Sequence, residues 1–151
     1  MDAVDRITEA LDVCEQQTEE PSAMGAAILL GKTPNAYFRH TLKMIRSSDL
    51  EPALLQLPFD YVLMFLKRAE AAFAEAGTID AELVSKTVLT LVRLHHMRLA
   101  STQEALPILR SLRSISKRSL QERCDQAGYN LAALRNIRRR IQSAEEENET
   151  V

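Results

Sequence analysis

The chain has 151 residues, 46% of them apolar, and a formal net charge of −2. That length fits one domain able to bury a sizeable core, while four glycines, five prolines and no tryptophan argue against a sheet. Ala, Leu, Glu, Arg and Gln dominate instead, so the expected fold is all-α, either a compact helical bundle or a short solenoid-like stack of helical hairpins.

Charge is unevenly spread along the chain. Residues 1–20 hold seven acids against Arg6 alone, whereas residues 108–140 hold nine bases against Glu122 and Asp125. Such asymmetry orients a molecule electrostatically, although solvated helix faces account for most charge runs of this kind. Cys14 and Cys124 are the only cysteines and lack CxxC spacing, which fits reduced thiols of an intracellular protein better than a disulfide framework. No signal-peptide or membrane-span pattern is visible.

Taken in order, Val4, Ile7, Leu11 and Cys14 fall on one stripe of an acidic amphipathic helix over residues 2–17. A polar break around Pro21 precedes the apolar run Met24 to Leu30, which Gly31 closes and which is expected to dock on the core. Thr33 as N-cap and Pro34 in the first turn open a helix to about Arg46, with Phe38, Leu42 and Ile45 inward.

A corner follows. Ser48 and Glu51 have capping-box spacing and start a short helix near Asp49, which Pro58 ends at Leu57. The next helix buries Phe59, Val62, Leu63, Leu66, Ala69 and Phe73, leaves Met64 and Phe65 off that stripe, and ends at Gly77 as a left-handed cap. From Ala81 to Leu99 the chain is apolar around much of its circumference and reads as the central buried helix. Ser101 and Glu104 repeat the capping-box spacing ahead of a helix that buries Ile108, Leu112, Ile115 and Ser119, with Cys124 and Ala127 further along. Gly128 is expected to break or kink the path before a final amphipathic helix carrying Leu131, Leu134, Ile137 or Arg138, and Ile141. Residues 1–142 would then form the helical interaction domain and 143–151 a disordered acidic tail.

Several stretches together resemble a known family: Ile28-Leu-Leu-Gly-Lys-Thr-Pro34, Ile45-Arg-Ser-Ser-Asp-Leu-Glu51, Leu54-Leu-Gln-Leu-Pro-Phe59, Leu91-Val-Arg-Leu-His95 and Gly128-Tyr-Asn-Leu-Ala132. In this order they are similar to the C-terminal helical domain of the Dip-two/Utp-twelve family, over roughly residues 2–142. The resemblance implies a domain that follows tandem WD-repeat propellers within the UTP-B subcomplex of the small-subunit processome. There it would act with U3 small nucleolar RNA in early maturation of 18S ribosomal RNA, in the nucleolus. The implied partners are the paralogous C-terminal helical domains of other tandem WD-repeat UTP-B subunits, in a hetero-oligomer. Pro52 stands where the family more usually has a helix-forming residue.

The residues themselves point away from catalysis. His95 and His96 are adjacent and project about 100° apart on a helix, so they cannot form a chelating pair, and His40 has no obvious second ligand. No nucleophile, phosphate loop or metalloprotease signature appears, so neither an enzyme nor a cofactor is expected. The candidate partner-binding residues are Leu50, Leu54, Leu57, Phe59, Met64 and Phe65. Burial preferences favour core for most of them, and Met64 and Phe65 are the better interface candidates because they exceed the inner stripe. An alternative is an RNA-binding module that contacts pre-ribosomal RNA or U3 small nucleolar RNA through Arg135, Arg138, Arg139 and Arg140. A solvated face is the simpler account of these arginines, because no aromatic stacking platform is interleaved with them.

Overall fold

The computed structural model describes residues 2–75 and 78–149. Over these residues the chain is all-α, with helices α1 (Ala3–Glu19), α2 (Ala23–Ile28), α3 (Pro34–Met44), α4 (Ser47–Gln56), α5 (Phe59–Glu75), α6 (Thr78–Ser101) and α7 (Ala105–Glu149). No helix among the described residues is long and apolar enough to cross a membrane. The chain divides into two compact units, Met1–Ser116 and Lys117–Val151, the division falling well before the boundary expected at residue 142.

The first unit is built around α5, which packs against α1, α3 and α6. Its start is set by Pro58, and its buried side carries Val62, Phe65, Leu66, Ala69, Ala72 and Phe73. Small residues at 69 and 72 let neighbouring helices approach closely, while Phe65 meets Phe38 of α3 edge-on, with ring centroids 5.0 Å apart. Helix α1 begins with a capping box, in which the Asp2 backbone N–H donates to Asp5 Oδ2 at 3.2 Å. It buries Ile7, Ala10, Leu11 and Cys14. Helix α3 opens as its sequence dictates, with Thr33 Oγ1 accepting from the Ala36 N–H at 3.2 Å and Pro34 in the first turn.

Four expectations are corrected. The run Met24 to Leu30 does not dock as a whole: Leu29 is buried, whereas Met24 and Leu30 are 77% and 68% exposed. A helix of one and a half turns has room to turn only part of such a run inward. Helix α6 is buried along one side only, through Ala81, Val84, Thr87, Val88, Leu91 and Leu99, because its neighbours α3, α4 and α5 meet it there. Leu89 and Met97 are exposed. Ser101 caps nothing at the start of α7. It ends α6, and its hydroxyl donates back to the Met97 carbonyl at 3.0 Å. Gly128 does not break the helix, since a mid-helix glycine costs only about 1 kcal/mol relative to alanine and its neighbours favour helix.

Helix α7 buries Ala105, Ile108 and Leu112 in the first unit. The second unit is the rest of this one helix, and among its described side chains none is buried. The backbone of residues 143–149, expected as a disordered tail, continues α7. Gly77, read as the cap of α5, lies outside the described residues, as do Thr150 and Val151.

Two polar clusters tie the helices together. Arg68 of α5 is 8% exposed, and its guanidinium donates to Glu15 Oε2 of α1 at 2.9 Å, to Thr18 Oγ1 at 3.2 Å and to Asn35 Oδ1 of α3 at 3.4 Å. A buried charge is tolerable only with such partners. Arg39 of α3 donates to the Ala72 carbonyl in the last turn of α5 at 3.2 Å and pairs with Asp80 of α6 at 3.4 Å. A hydrogen bond from Lys43, with the charges of Lys43 and Arg39, holds the Asp80 carboxyl below the usual carboxylate range.

Cys14 is fully buried, and its thiol donates to the Pro34 carbonyl at 3.1 Å. Burial pushes this thiol from 9.0 up to about 11, so it is neutral at physiological pH. Cys124 is exposed. One thiol equivalent, at Cys124, should therefore react with a maleimide in the native protein at neutral pH, and the second only after unfolding. Because the folded state holds Cys14 neutral, its contribution to stability is intact below about pH 9 and is lost as pH rises through about 11. Urea titrations of wild type and Cys14→Ala over that range check the sign. The alkaline loss should be smaller in the variant.

Candidate interaction surfaces

The corner between α4 and α5 is organised by prolines. Helix α4 starts at Ser47 with Arg46 as its N-cap and no side-chain cap, so the expected Ser48–Glu51 box is absent. Ile45 turns into the core as the extended last cap of α3, and two extended residues, Ile45 and Arg46, complete the turn before Ser48 is reached. Ser48 lies inside the first turn, its hydroxyl donating to Asp49 Oδ1 at 2.9 Å. At the other end, the Leu54 carbonyl would normally accept from the N–H four residues on, but that residue is Pro58, which has none. His95 of α6 supplies the missing donor, its Nε2 lying 2.8 Å from the Leu54 carbonyl oxygen. Three residues on, the Arg98 guanidinium stacks over the Phe59 ring at 4.3 Å.

This geometry redistributes the six candidate partner residues. Leu54, Leu57 and Phe65 are buried within the chain, so none of them presents an accessible surface. The reading of Phe65 as excess apolar surface is corrected: α3 lies against α5 and covers it with Phe38. Leu50, Phe59 and Met64 are partly buried against the core and keep some exposed surface.

A more exposed apolar surface lies elsewhere in the first unit, and sequence reasoning missed it. Met24, Ile28, Leu30 and Met44 are 77%, 44%, 68% and 60% exposed. They border two clefts. One, of about 250 Å³, is lined by Leu30 and Met44 with Arg6, Glu9, Tyr37 and His40; the other, of about 210 Å³, by Met24 and Ile28 with Val13 and Gln17. Leu30 holds an unusual backbone. Helix α2 ends in a Schellman turn, with the Gly31 N–H donating to the Ala26 carbonyl at 3.2 Å and the Leu30 N–H to the Ala27 carbonyl at 3.1 Å. Leu30 therefore occupies the left-handed position, at φ 55°, where glycine is the usual residue. A left-handed leucine costs about 1–2 kcal/mol. The signal available in the sequence was the absence of glycine at position 30, one residue before Gly31.

Arg135, Arg138, Arg139 and Arg140 are all exposed on the second unit. They do not share a face, since Arg138 and Arg140 point about 160° apart at 100° per residue. Among the described residues, no group of three His, Cys, Asp or Glu side chains could hold a metal ion. His40 lies in the cleft beside Glu9 and Arg6, and His96 Nδ1 lies 2.9 Å from the Arg93 carbonyl of its own helix.

Residues 34–139 match the profile of the Dip2/Utp12 family. The chain is 34% identical over 114 residues to WD repeat-containing protein 3 of Mus musculus, covering 76% of this chain and 12% of that protein. It is 29% identical over 161 residues to the Homo sapiens protein of the same name, covering 95% and 17% respectively. It is 28% identical over 123 residues to U3 small nucleolar RNA-associated protein 12 of Saccharomyces cerevisiae, covering 79% and 13%. The chain thus spans less than a fifth of the length of these curated relatives.

The corner makes a specific energetic prediction. His95→Ala leaves the buried Leu54 carbonyl without a donor and should cost about 1–3 kcal/mol in urea unfolding. Pro58→Ala restores a backbone N–H at the required position, so in the double variant the loss from His95→Ala should shrink. A double-mutant cycle with no coupling between positions 58 and 95 would contradict this account.

Proposed function

The chain belongs to the Dip2/Utp12 family, and from that membership we propose that it is a non-catalytic protein–protein interaction domain serving assembly of the small-subunit processome. In this reading it joins the UTP-B subcomplex through the paralogous C-terminal helical domains of other tandem WD-repeat subunits, in the nucleolus, during 18S ribosomal RNA maturation. The name of the yeast relative, U3 small nucleolar RNA-associated protein 12, supports the setting. The observation that carries the interaction role is the exposed apolar surface around α2, where Met24, Ile28, Leu30 and Met44 border two clefts. Leaving four large apolar side chains in water along the borders of these two clefts favours a covering partner. Arg6 and Glu9 of α1 line the cleft beside Leu30 and Met44 and give it a polar edge, and Leu50, Phe59 and Met64 keep some exposed apolar surface on α4 and α5.

Leu30 permits a test that separates binding from folding. Leu30→Gly removes the apolar side chain and relieves the left-handed strain, so the isolated domain should be as stable as wild type or more stable by about 1 kcal/mol. On co-expression with the paralogous C-terminal domains, wild type should elute as a heteromer, and Leu30→Gly should bind at least about tenfold more weakly. Heteromer formation unaffected by Leu30→Gly would exclude the α2 surface, and a wild-type chain that stays monomeric with every such domain would overturn the assembly role.

A second reading rests on the exposure of Arg135, Arg138, Arg139 and Arg140, which leaves them accessible to the phosphates of pre-ribosomal RNA. It expects binding to such RNA that falls steeply with salt, and a shallower salt slope when the four arginines are changed to glutamine. An unchanged slope would dismiss it.

A further inference from the structure

Ser143 stands apart from the other hydroxyls of the chain by what precedes it. Arginine occupies the third position before three serines: Arg98 before Ser101, Arg113 before Ser116 and Arg140 before Ser143. Only Ser143 also has arginine at the fifth position before it, Arg138, where the other two have His96 and Ser111. Arg-x-Arg-x-x-Ser is a spacing that suits a serine kinase whose peptide groove is lined with carboxylates, each guanidinium pairing with an acid of the groove.

We propose that Ser143 is the phosphate acceptor for such an arginine-directed kinase. The structure separates it from the two weaker sites. Arg98 is held over the Phe59 ring at 4.3 Å, and Ser116 is half-buried at the end of the first unit. Arg138, Arg140 and Ser143 are all exposed on the second unit, where no described side chain is buried. A kinase groove takes its substrate extended, so the helix must open first. Around Ser143 it is held by its backbone ladder and by the Ser143 hydroxyl donating to the Arg139 carbonyl at 3.0 Å, without a packed face, and local opening therefore costs little. Opening also completes the recognition. Arg138 and Arg140 diverge by about 160° on the helix, but residues two apart share one face of an extended segment.

Acids also follow Ser143, yet they do not single it out. Ser48, Ser101 and Ser119 have Glu51, Glu104 and Glu122 at the third position after them, as Ser143 has Glu146, whereas the arginine pair precedes Ser143 alone. In the transfer, Ser143 Oγ attacks the γ-phosphorus of a magnesium-bound nucleoside triphosphate. The new P–O bond forms as the bond to the β–γ bridging oxygen breaks, the hydroxyl proton passes to the kinase's base, and the nucleoside diphosphate leaves. The product places a charge of about −2 one helical turn after Arg139 and Arg140, at the spacings where side chains pair once the helix closes again. It thereby competes for arginines that RNA phosphates would otherwise meet; that consequence rests on the RNA reading above, whereas the acceptor role does not.

The test incubates the full chain with magnesium ATP and a purified kinase that selects arginine at the third and fifth preceding positions, and in parallel with an acid-directed kinase of equal activity. Phosphopeptide mapping should place one phosphate per chain at Ser143, acquired faster from the arginine-directed enzyme. Ser143→Ala should abolish incorporation, and Arg138→Gln with Arg140→Gln should slow it at least about tenfold while far-UV circular dichroism still reports a folded first unit. Arg139→Gln keeps both recognition arginines and removes one partner of the phosphate. By phosphorus NMR, the phosphate of the wild-type chain should therefore titrate at lower pH than that of Arg139→Gln, and equal titration would overturn the pairing. The acceptor role is overturned by phosphate placed mainly on Ser101 or Ser116, by incorporation that survives Ser143→Ala, by a rate unchanged without the two arginines, or by faster labelling of Ser143 from the acid-directed kinase.

Discussion

The missing N–H of Pro58 constrains more of this fold than any single apolar contact. It ends α4, fixes the entry of α5, and would leave the Leu54 carbonyl without a donor in a fully buried place. His95 resolves that deficit from α6, and Arg98 holds the same helix against the first residue of α5. Three consecutive helices are thus tied together around one absent hydrogen-bond donor. A hydrophobic core alone specifies composition and volume more readily than register, whereas a directed hydrogen bond to one carbonyl admits only one setting of α6 along α4.

The polar clusters apply the same logic on the opposite side of α5. Arg68 reaches α1 and α3 at once, and Arg39 spans from α3 to the last turn of α5 and the first turn of α6. Arg39 satisfies a backbone carbonyl in the last turn of α5, where such groups lack intrahelical partners, while Arg68 donates to side-chain oxygens of α1 and α3. The apolar core formed by Phe38, Phe65, Leu42 and Leu66 supplies the driving force, and these guanidinium forks set how the helices meet around it.

Much of this was legible in the sequence wherever one local rule acted alone. The stripe of Ile7, Leu11 and Cys14, the Thr33–Pro34 start and the Leu57–Pro58 break are each dictated within a turn or two, and each lies where it was expected. Errors arose where the deciding partner is remote. Phe65 looked surplus because its stripe was judged without Phe38, and Ser48 looked like a cap because α3 was expected to run to about Arg46, whereas Ile45 and Arg46 are extended and α4 already starts at Ser47. The apolar surface at α2 went unnoticed for a related reason. Composition reports that Met24 and Leu30 are apolar, but a six-residue helix ending in a left-handed leucine decides which way they face. The four arginines of α7 were found by their charge, yet their spread around the helix follows only from angular spacing.

Gly128 has a consequence for the helix–coil balance of α7. No atom lies within 4 Å of where a β-carbon would sit, so neither packing nor backbone sign calls for glycine there in a single chain. Its effect is instead on cooperativity. An isolated helix in water is held by propagation along unbroken, favourable residues, and a glycine near the middle of residues 117–143 lowers the statistical weight of every helical stretch that crosses it. Helix α7 nonetheless continues through Gly128, which is the position where its propagation is least favoured. Packing across position 128 would offset a local helix penalty of about 1 kcal/mol relative to alanine.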